Sequence, residues 1–204
     1  SDEVGLGKTI EAGLIAHHQL LTGRISRVLI LVPEPLLHQW LVEMMRRFNL
    51  HFRIFDRQQC AAICESQNLS NPFTSEQLVL SSLQFFLANP DWADKALGTE
   101  WDLVIVDEAH HLSWTPEKAS AAYQLVENFS YQAGGLLLLT ATPEKEGHLS
   151  HFAQLRLLDP ARFHSLDEFV REQQSFALVA DIAERLLDGM PLNRQQTDTL
   201  QNFL

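Results

Sequence analysis

Three short segments of this chain hold residue types that act together in phosphate chemistry. Residues 5–9 read Gly-Leu-Gly-Lys-Thr, residues 107–110 read Asp-Glu-Ala-His, and residues 140–142 read Thr-Ala-Thr. The second and third segments directly follow the apolar runs 103–106 and 136–139. A glycine-rich turn lets backbone N–H groups point at phosphate oxygens, and carboxylates can bind Mg²⁺ and activate water. This order of segments indicates a nucleoside triphosphate site and favours a motor that acts on nucleic acid.

The first segment predicts a phosphate-binding loop. Lys8 is suited to contact the β- and γ-phosphates, and the Thr9 hydroxyl is suited to bind Mg²⁺. Residues 9–21 are predicted to form a helix that ends at Gly23, so that a phosphate at its start would meet free N–H groups. The helix is predicted to carry Ile10, Leu14, Ile15, His18 and Leu21 on one face. The strict pattern has glycine where this chain has Asp2, and a glycine-rich turn with a solvated lysine is the alternative interpretation.

The second segment predicts the catalytic carboxylates. The branched apolar residues 103–106 are typical of a parallel strand buried on both faces, and α/β sheets bind ligands at the carboxyl ends of such strands. We expect Asp107 to bind Mg²⁺, directly or through water, and Glu108 to orient or deprotonate the attacking water. His110 can reach either the γ-phosphate or Thr140 and Thr142, which makes these three residues candidates for coupling chemistry to motion. The alternative is an Asp-Glu pair that only caps the next helix.

The same segments resemble the conserved motifs of a known family. Residues 2–9, 32–33, 107–110 and 140–143 look like motifs I, Ia, II and III of the helicase-like ATPases of superfamily two. The form Asp-Glu-Val-Gly-Leu-Gly-Lys-Thr is similar to motif I of the Swi/Snf-type branch. Residues 9–13, 38–44 and 156–160 further resemble bacterial members of this branch that associate with RNA polymerase. The likeness covers nearly the whole chain and weakens after about residue 177.

The resemblance implies a fold and a function. It implies an α/β, three-layer RecA-like (P-loop NTPase) lobe with a mainly parallel sheet at residues 1–160. A helical segment at 161–204 would lead towards a second RecA-like lobe of the same chain. The parent would use ATP and Mg²⁺ to move on duplex DNA without unwinding it, and would bind RNA polymerase in the bacterial cytoplasm, at the nucleoid. Its nucleotide contacts would be Asp2, Gly5, Leu6, Gly7, Lys8, Thr9 and Asp107.

Two other functions stay open at this point. One is a non-catalytic module that docks on RNA polymerase and carries a vestigial nucleotide site, although Lys8, Thr9, Asp107 and Glu108 would then be free to change. The other is a lobe of a strand-separating DEAH-box helicase, which would share the chemistry but not the action. A strand-displacement assay on the complete parent separates the second from a duplex translocase.

Charge and composition limit the function further. The formal net charge of −11 argues against nucleic-acid binding by diffuse basic attraction. Candidate contacts with a phosphate backbone are Pro33, Ser81 and Ser82 in loops that follow strands, and routine helix capping is the alternative there. The 204 residues, 46% of them hydrophobic, suit one cored domain. We expect no membrane span, no leader and, with two cysteines, a reducing cytosol.

The hydrophobic pattern predicts the elements that position these residues. Strands are expected at 28–32, 52–55, 77–80, 103–106 and 136–139, alternating with helices. One helix is expected at 36–48, with Trp40 in the core rather than on a base-stacking surface. Another is expected to start at Thr115-Pro116-Glu117 and to bury Ala119, Ala122, Tyr123 and Val126. Ser165 is expected to cap one helix. A second helix is expected at 181–187, and Asn193 is expected to cap a last one.

The start of the chain carries a separate expectation. A phosphate loop normally follows a buried strand, yet only Ser1 precedes Asp2. We therefore expect a fragment in which the phosphate loop is mobile or displaced and the strand at 136–139 lies at an open edge. The expected nucleotide binding of such a piece is weak, and its hydrolysis undetectable, because arginine fingers of this family stand on the second lobe.

Overall fold

A computed structural model describes residues 7–140 and 147–188 of the chain. It divides the chain into two compact units, Ser1–Asp159 and Pro160–Leu204. Asp2, Gly5, Leu6, Thr142 and the helix expected after Asn193 lie outside the described residues. The strands of the first unit are β1 (Val28–Val32), β2 (Arg53–Ile54), β3 (Leu78–Ser82), β4 (Leu103–Val106) and β5 (Leu136–Leu138). Its helices are α1 (Lys8–Leu21), α2 (Leu37–Phe48), α3 (Arg57–Gln67), α4 (Leu83–Ala88), α5 (Pro90–Leu97), α6 (Ala121–Gln132) and α7 (Gly147–Leu158).

The five strands form one sheet in the order β2-β3-β1-β4-β5, and every pairing is parallel. The predicted parallel sheet is confirmed. In the register, Leu31 of β1 is beside Val106 of β4, and Val106 is beside Leu138 of β5. Because all strands run the same way, the residues that follow β1, β3, β4 and β5 are gathered at one edge of the sheet. Within the described residues, β5 pairs only with β4.

The sheet is covered on both faces, which confirms the predicted three layers. All five residues of β1 are buried, as expected for a strand with helices on each side. One core joins Val28 and Ile30 to Trp40 and Met44 of α2 and to Ala16 of α1. The other core joins the alternate residues of β1 to α3, α4, α5, α6 and α7. The α1–α2 layer is the one that carries the candidate phosphate loop.

Helix α1 forms where predicted, but it buries the opposite face. Its buried residues are Ala12, Gly13 and Ala16, whereas Leu14 and Leu21 are 59% and 73% exposed. A β-carbon on Gly13 would overlap the ring of Phe48, so α2 approaches α1 too closely for a larger residue. The predicted face of Ile10, Leu14, Ile15, His18 and Leu21 is the exposed one, because α2 packs against the small residues on the other side. Gly23, at φ 68°, follows the helix end as predicted.

Helix α6 begins later than predicted. Thr115 accepts hydrogen bonds from the Lys118 N–H in a tight turn, and Trp114 forms a short antiparallel bridge with Ala119. The helix starts at Ala121, where the Ser120 hydroxyl accepts from the Tyr123 N–H at 3.1 Å. The prediction of a helix start at Thr115-Pro116-Glu117 is wrong, although Tyr123 and Val126 are buried as expected.

The second unit holds one long helix among the described residues, α8 (Leu166–Leu187). The Ser165 hydroxyl accepts from the Glu168 N–H at 3.3 Å, which confirms the predicted cap. The segment 181–187, predicted as a helix of its own, continues α8 without a break. Across the described part of the chain, the helices are too short or too polar to cross a bilayer.

Candidate nucleotide-binding site

The first turn of α1 places Lys8 and Thr9. Gly7 precedes the helix with φ 98°, a backbone conformation that glycine adopts without steric cost. Its carbonyl accepts from the N–H groups of Ile10 and Glu11, at 2.7 and 3.0 Å, and so closes the first turn. Because glycine has no side chain, it cannot cap the helix, and the start of α1 can receive an anion instead.

Asp107 is held at the carboxyl end of β4. Its backbone N–H donates to the Leu31 carbonyl at 2.9 Å, which continues the pairing with β1. The side chain is only 6% exposed and accepts two hydrogen bonds. Trp40 Nε1 donates to Oδ2 at 2.9 Å, and the Glu108 N–H donates to Oδ1 at 2.9 Å. Each carboxylate oxygen therefore keeps a lone pair for a cation or a water molecule.

Glu108 begins the turn that follows the strand. It has φ 51°, which is uncommon for a residue with a β-carbon and is often found at functional sites. It precedes the short 3₁₀ helix Ala109–His111, but its carboxylate does not cap that helix. The Glu108 carboxylate therefore does not have the capping role that the alternative interpretation gave it. Glu108 Oε2 lies instead 2.9 Å from His110 Nδ1, in ion-pair range though without the angle of a hydrogen bond.

The three residues predicted for coupling are only partly described. The Ala109 N–H donates to the Leu139 carbonyl at 2.8 Å, which fastens the turn after β4 to the end of β5. Thr140 follows at once, is 7% exposed, and its buried hydroxyl has no hydrogen-bond partner among the described residues. His110 Nδ1 lies near Glu108, and its ring contacts the ring of His111 at a tilt of 46°, with 3.9 Å between ring centroids. Thr142 lies outside the described residues.

One cavity of about 390 Å³ unites the two main segments. Its walls include Lys8 and Thr9 from the start of α1 together with Asp107 and Glu108 from the end of β4. Thr9 and Asp107 offer the hard oxygen ligands that Mg²⁺ prefers, and Lys8 offers a cation for phosphate. Residues almost a hundred positions apart in the sequence therefore meet in a space that suits a magnesium-bound polyphosphate.

Sequence reasoning missed one wall of this cavity. Gln39, Glu43 and Arg47 of α2 line it, next to Trp40. The three residues are four positions apart, which puts them on one face of the helix. Arg47 and Glu43 form an ion pair. The spacing of the three residues predicts a polar helix face. The local sequence does not indicate whether this face borders the nucleotide cavity or bulk water.

Two of the candidate nucleic-acid contacts are corrected. Ser81 is fully buried and its hydroxyl donates to the Phe55 carbonyl at 2.7 Å. Ser82 is 2% exposed and caps α4 by accepting from the Phe85 N–H at 3.0 Å. Both hydroxyls bond to backbone groups of the fold, and Ser82 has the capping role that the alternative interpretation gave it. Pro33 is half-buried, immediately after β1.

Known proteins share this sequence and fold. The profile of the SNF2-related domain family matches residues 1–203. The RNA polymerase-associated protein RapA of Vibrio cholerae serotype O1 (strain M66-2) is 54% identical over 205 residues, which cover 100% of this chain and 21% of that protein. RapA of Vibrio campbellii is 53% identical over 205 residues, again with 100% and 21% coverage. The chain thus spans about a fifth of the length of these relatives.

Solved structures agree on the fold. The Sulfolobus solfataricus SWI2/SNF2 ATPase core in complex with dsDNA aligns with a TM-score of 0.63 at 19% identity, over 83% of this chain and 32% of that one. The Pyrococcus furiosus Hef helicase domain aligns with a TM-score of 0.53 at 23% identity, over 74% and 31%. Together with the sequence match over nearly every residue, the RecA-like α/β architecture leads to one conclusion: this chain belongs to the SNF2-related domain family.

Proposed function

We propose that this chain is the first ATP-binding lobe of a DNA-dependent motor ATPase. The observation that carries the proposal is the single cavity in which Lys8 and Thr9 face Asp107 and Glu108. Phosphate binding and water activation need these groups in one place, and the fold brings them together from two distant segments. Membership of the SNF2-related domain family supports the same activity.

Lys8, Thr9, Asp107 and Glu108 have distinct roles in the proposed mechanism. Lys8 neutralises the β- and γ-phosphates, and the N–H groups at the start of α1 bind their oxygens. Thr9 and Asp107 would hold Mg²⁺, which supplies charge neutralisation for the transferred phosphoryl group. Glu108 accepts the proton of the attacking water, and His110 Nδ1 lies 2.9 Å from its carboxylate. Asp2, Gly5 and Leu6 complete the loop in this proposal.

The action of the whole protein is part of the proposal. The relatives are named for their association with RNA polymerase, and one structural neighbour was solved with dsDNA. We infer that the complete protein moves along duplex DNA, contacts RNA polymerase in the bacterial cytoplasm, and needs a second RecA-like lobe for turnover. His110, Thr140 and Thr142 would transmit the state of the nucleotide to the DNA-binding surface.

The test uses two variants in the full-length protein. Lys8→Ala is expected to weaken nucleotide binding by at least about tenfold and to abolish turnover, because a phosphate-binding cation is lost. Glu108→Gln is expected to keep the affinity and to lower turnover by about 10²–10⁴, because an amide cannot accept the proton of water. Nucleotide affinity is measured by calorimetry, and turnover by phosphate release with and without duplex DNA.

Matched controls remove the same groups elsewhere. Lys118→Ala and Glu117→Gln change an exposed lysine and an exposed glutamate in the turn before α6, and both are expected to leave binding and turnover unchanged. Equal losses of affinity in Lys8→Ala and Glu108→Gln would contradict the separate roles. An ATPase rate that is the same with and without duplex DNA would contradict the proposal of a DNA-dependent motor.

A further inference from the structure

Trp40 is tied to the catalytic edge of the sheet by its indole nitrogen. Nε1 donates to Asp107 Oδ2 at 2.9 Å, across 67 positions of sequence. Trp40 is 1% exposed and Asp107 is 6% exposed, so water does not compete strongly for either group. A hydrogen bond to a carboxylate in such a setting is stronger than one between neutral groups in water.

The fold holds the indole rigidly. Trp40 stands on the buried face of α2 with Met44, and both pack against alternate residues of β1. Asp107 is anchored separately, because its N–H bonds to Leu31 at the end of the same strand. Donor and acceptor are therefore both positioned by β1, one through side-chain packing and one through the backbone.

We infer that Trp40 is a positioning residue for the magnesium ligand Asp107, an inference that rests on the proposed function. With Trp40 on Oδ2 and the Glu108 N–H on Oδ1, the carboxylate cannot turn about its last bond without losing both partners. Its free lone pairs then keep one direction relative to the cavity that both residues line. An indole N–H only donates, so Trp40 orients the carboxylate without competing for it as a metal ligand.

Partners of this kind control metal affinity in other sites. Residues that hydrogen-bond to a metal ligand typically change metal affinity or activity by 10–100-fold when they are replaced. A tryptophan that served only the core would behave differently: its replacement would lower stability and leave the magnesium dependence of nucleotide binding unchanged. This difference separates the two roles.

The chain offers a matched control for the substitution. Trp101 is 3% exposed, and its Nε1 donates to the Ala96 carbonyl at 2.9 Å. It belongs to the core on the other face of the sheet. Trp40→Phe and Trp101→Phe therefore each remove an indole N–H from a buried hydrogen bond. Only the hydrogen bond of Trp40 has Asp107 as its acceptor.

The experiment titrates the full-length protein with the non-hydrolysable ATP analogue AMP-PNP by calorimetry, in EDTA and at a series of Mg²⁺ concentrations. Trp40→Phe is expected to raise the Mg²⁺ concentration for half-maximal enhancement of binding by about tenfold or more, and to leave the affinity in EDTA within about twofold. Trp101→Phe is expected to change neither quantity, although both variants melt at lower temperatures. The Mg²⁺ dependence of phosphate release is expected to shift in parallel.

A second replacement guards against a folding defect. Incorporation of β-(3-benzothienyl)alanine at position 40 keeps the ring volume and replaces the N–H by sulfur, so the same shift is expected in a fully packed protein. An unchanged Mg²⁺ dependence in this protein would overturn the role of Trp40 while the proposed function stands. A wild-type protein that binds AMP-PNP without any enhancement by Mg²⁺ would overturn the proposed function and this inference together.

Discussion

Asp102 shows at the residue scale how a single carboxylate oxygen can join two segments. It stands just before β4, and its Oδ2 accepts from the Ser26 N–H at 2.7 Å, the Ser26 hydroxyl at 3.0 Å and the Arg27 N–H at 2.9 Å. These bonds fasten the residues before β1 to the start of β4, at the opposite end of β4 from Asp107. The backbone hydrogen bond from Ser26, followed by that from Arg27, lowers the pKa of Asp102.

The lowered pKa predicts a pH-dependent contribution to stability. Because the folded-state pKa is below the ordinary value near 3.9, the stabilisation is fully present above that pH and is lost as the pH falls through the folded-state pKa. Asp102→Asn is expected to lower the free energy of unfolding by about 1–3 kcal/mol at pH 7, and the deficit is expected to shrink below about pH 3.9. Urea unfolding at several pH values measures this deficit in the free energy of unfolding. Glu100→Gln, a substitution of an exposed glutamate, is the control. A deficit that did not change with pH would show that charge is not the cause.

At the element scale, the contact between α1 and α2 sets the geometry of the nucleotide cavity. α1 carries Lys8 and Thr9 in its first turn, and α2 carries Trp40 and the polar face at Gln39, Glu43 and Arg47. The helices approach closely because Gly13 presents no side chain to Met44 and Phe48. With a larger residue at position 13, either the side chains of Phe48 and Met44 or the helix α1 with its phosphate-binding groups has to move.

Gly13→Ala tests this contact. The added methyl group would overlap the ring of Phe48 and lie 2.8 Å from Met44 Cε, so we expect a loss of about 1–3 kcal/mol in the free energy of unfolding. We also expect weaker nucleotide binding in the full-length protein. Gly98→Ala is the control, because the nearest atom to its added methyl group is the Asp94 carbonyl oxygen at 3.4 Å. Equal stability of Gly13→Ala and the wild type would show that α1 is not held by this contact.

At the scale of the whole molecule, the parallel sheet brings the candidate catalytic residues and the candidate coupling residue Thr140 to one edge. The turn after β4 holds Asp107 and Glu108, and its Ala109 bonds to Leu139 immediately before Thr140. The chain covers about a fifth of the length of its relatives, so movement on DNA is a proposal for the complete protein. This hydrogen bond joins the turn after β4 to the end of β5, where the proposed coupling residue Thr140 follows.

The double variant Thr140→Ala with Thr142→Ala tests this route in the full-length protein. Translocation on duplex DNA, measured by displacement of a third strand, is expected to fall by about tenfold or more, while nucleotide affinity stays within about twofold, because the proposed role of both threonines is to transmit the state of the nucleotide rather than to bind phosphate. Thr74→Ala, an exposed threonine elsewhere in this lobe, is the control. Unchanged translocation in the double variant would contradict the coupling hypothesis. Unwinding of a forked duplex by the wild-type protein would instead assign it to the strand-separating helicases.

Much of the fold was predictable because its signals are local. The strands β1, β3, β4 and β5 coincide closely with short apolar runs, and α1 is recognisable from a glycine-rich start and Gly23 at its end. The candidate ATP-site residues were predictable for a related reason: phosphate binding and water activation need few residue types at fixed places relative to a strand or helix. The sequence alone therefore determined the parallel α/β class and the identities of Lys8, Thr9, Asp107 and Glu108 as site candidates.

The tertiary structure decided what depends on distant partners. Hydrophobic periodicity assumes that large apolar residues face the core, yet α1 buries its small ones because α2 lies against Gly13. Thr115 and Ser120 both have a hydroxyl that could cap a helix. Trp114 and Ala119 form a β-bridge around Thr115, so the helix starts after Ser120, which caps it. The bond from Trp40 to Asp107 has no local signal, because its two ends meet only after β1 and β4 have paired side by side.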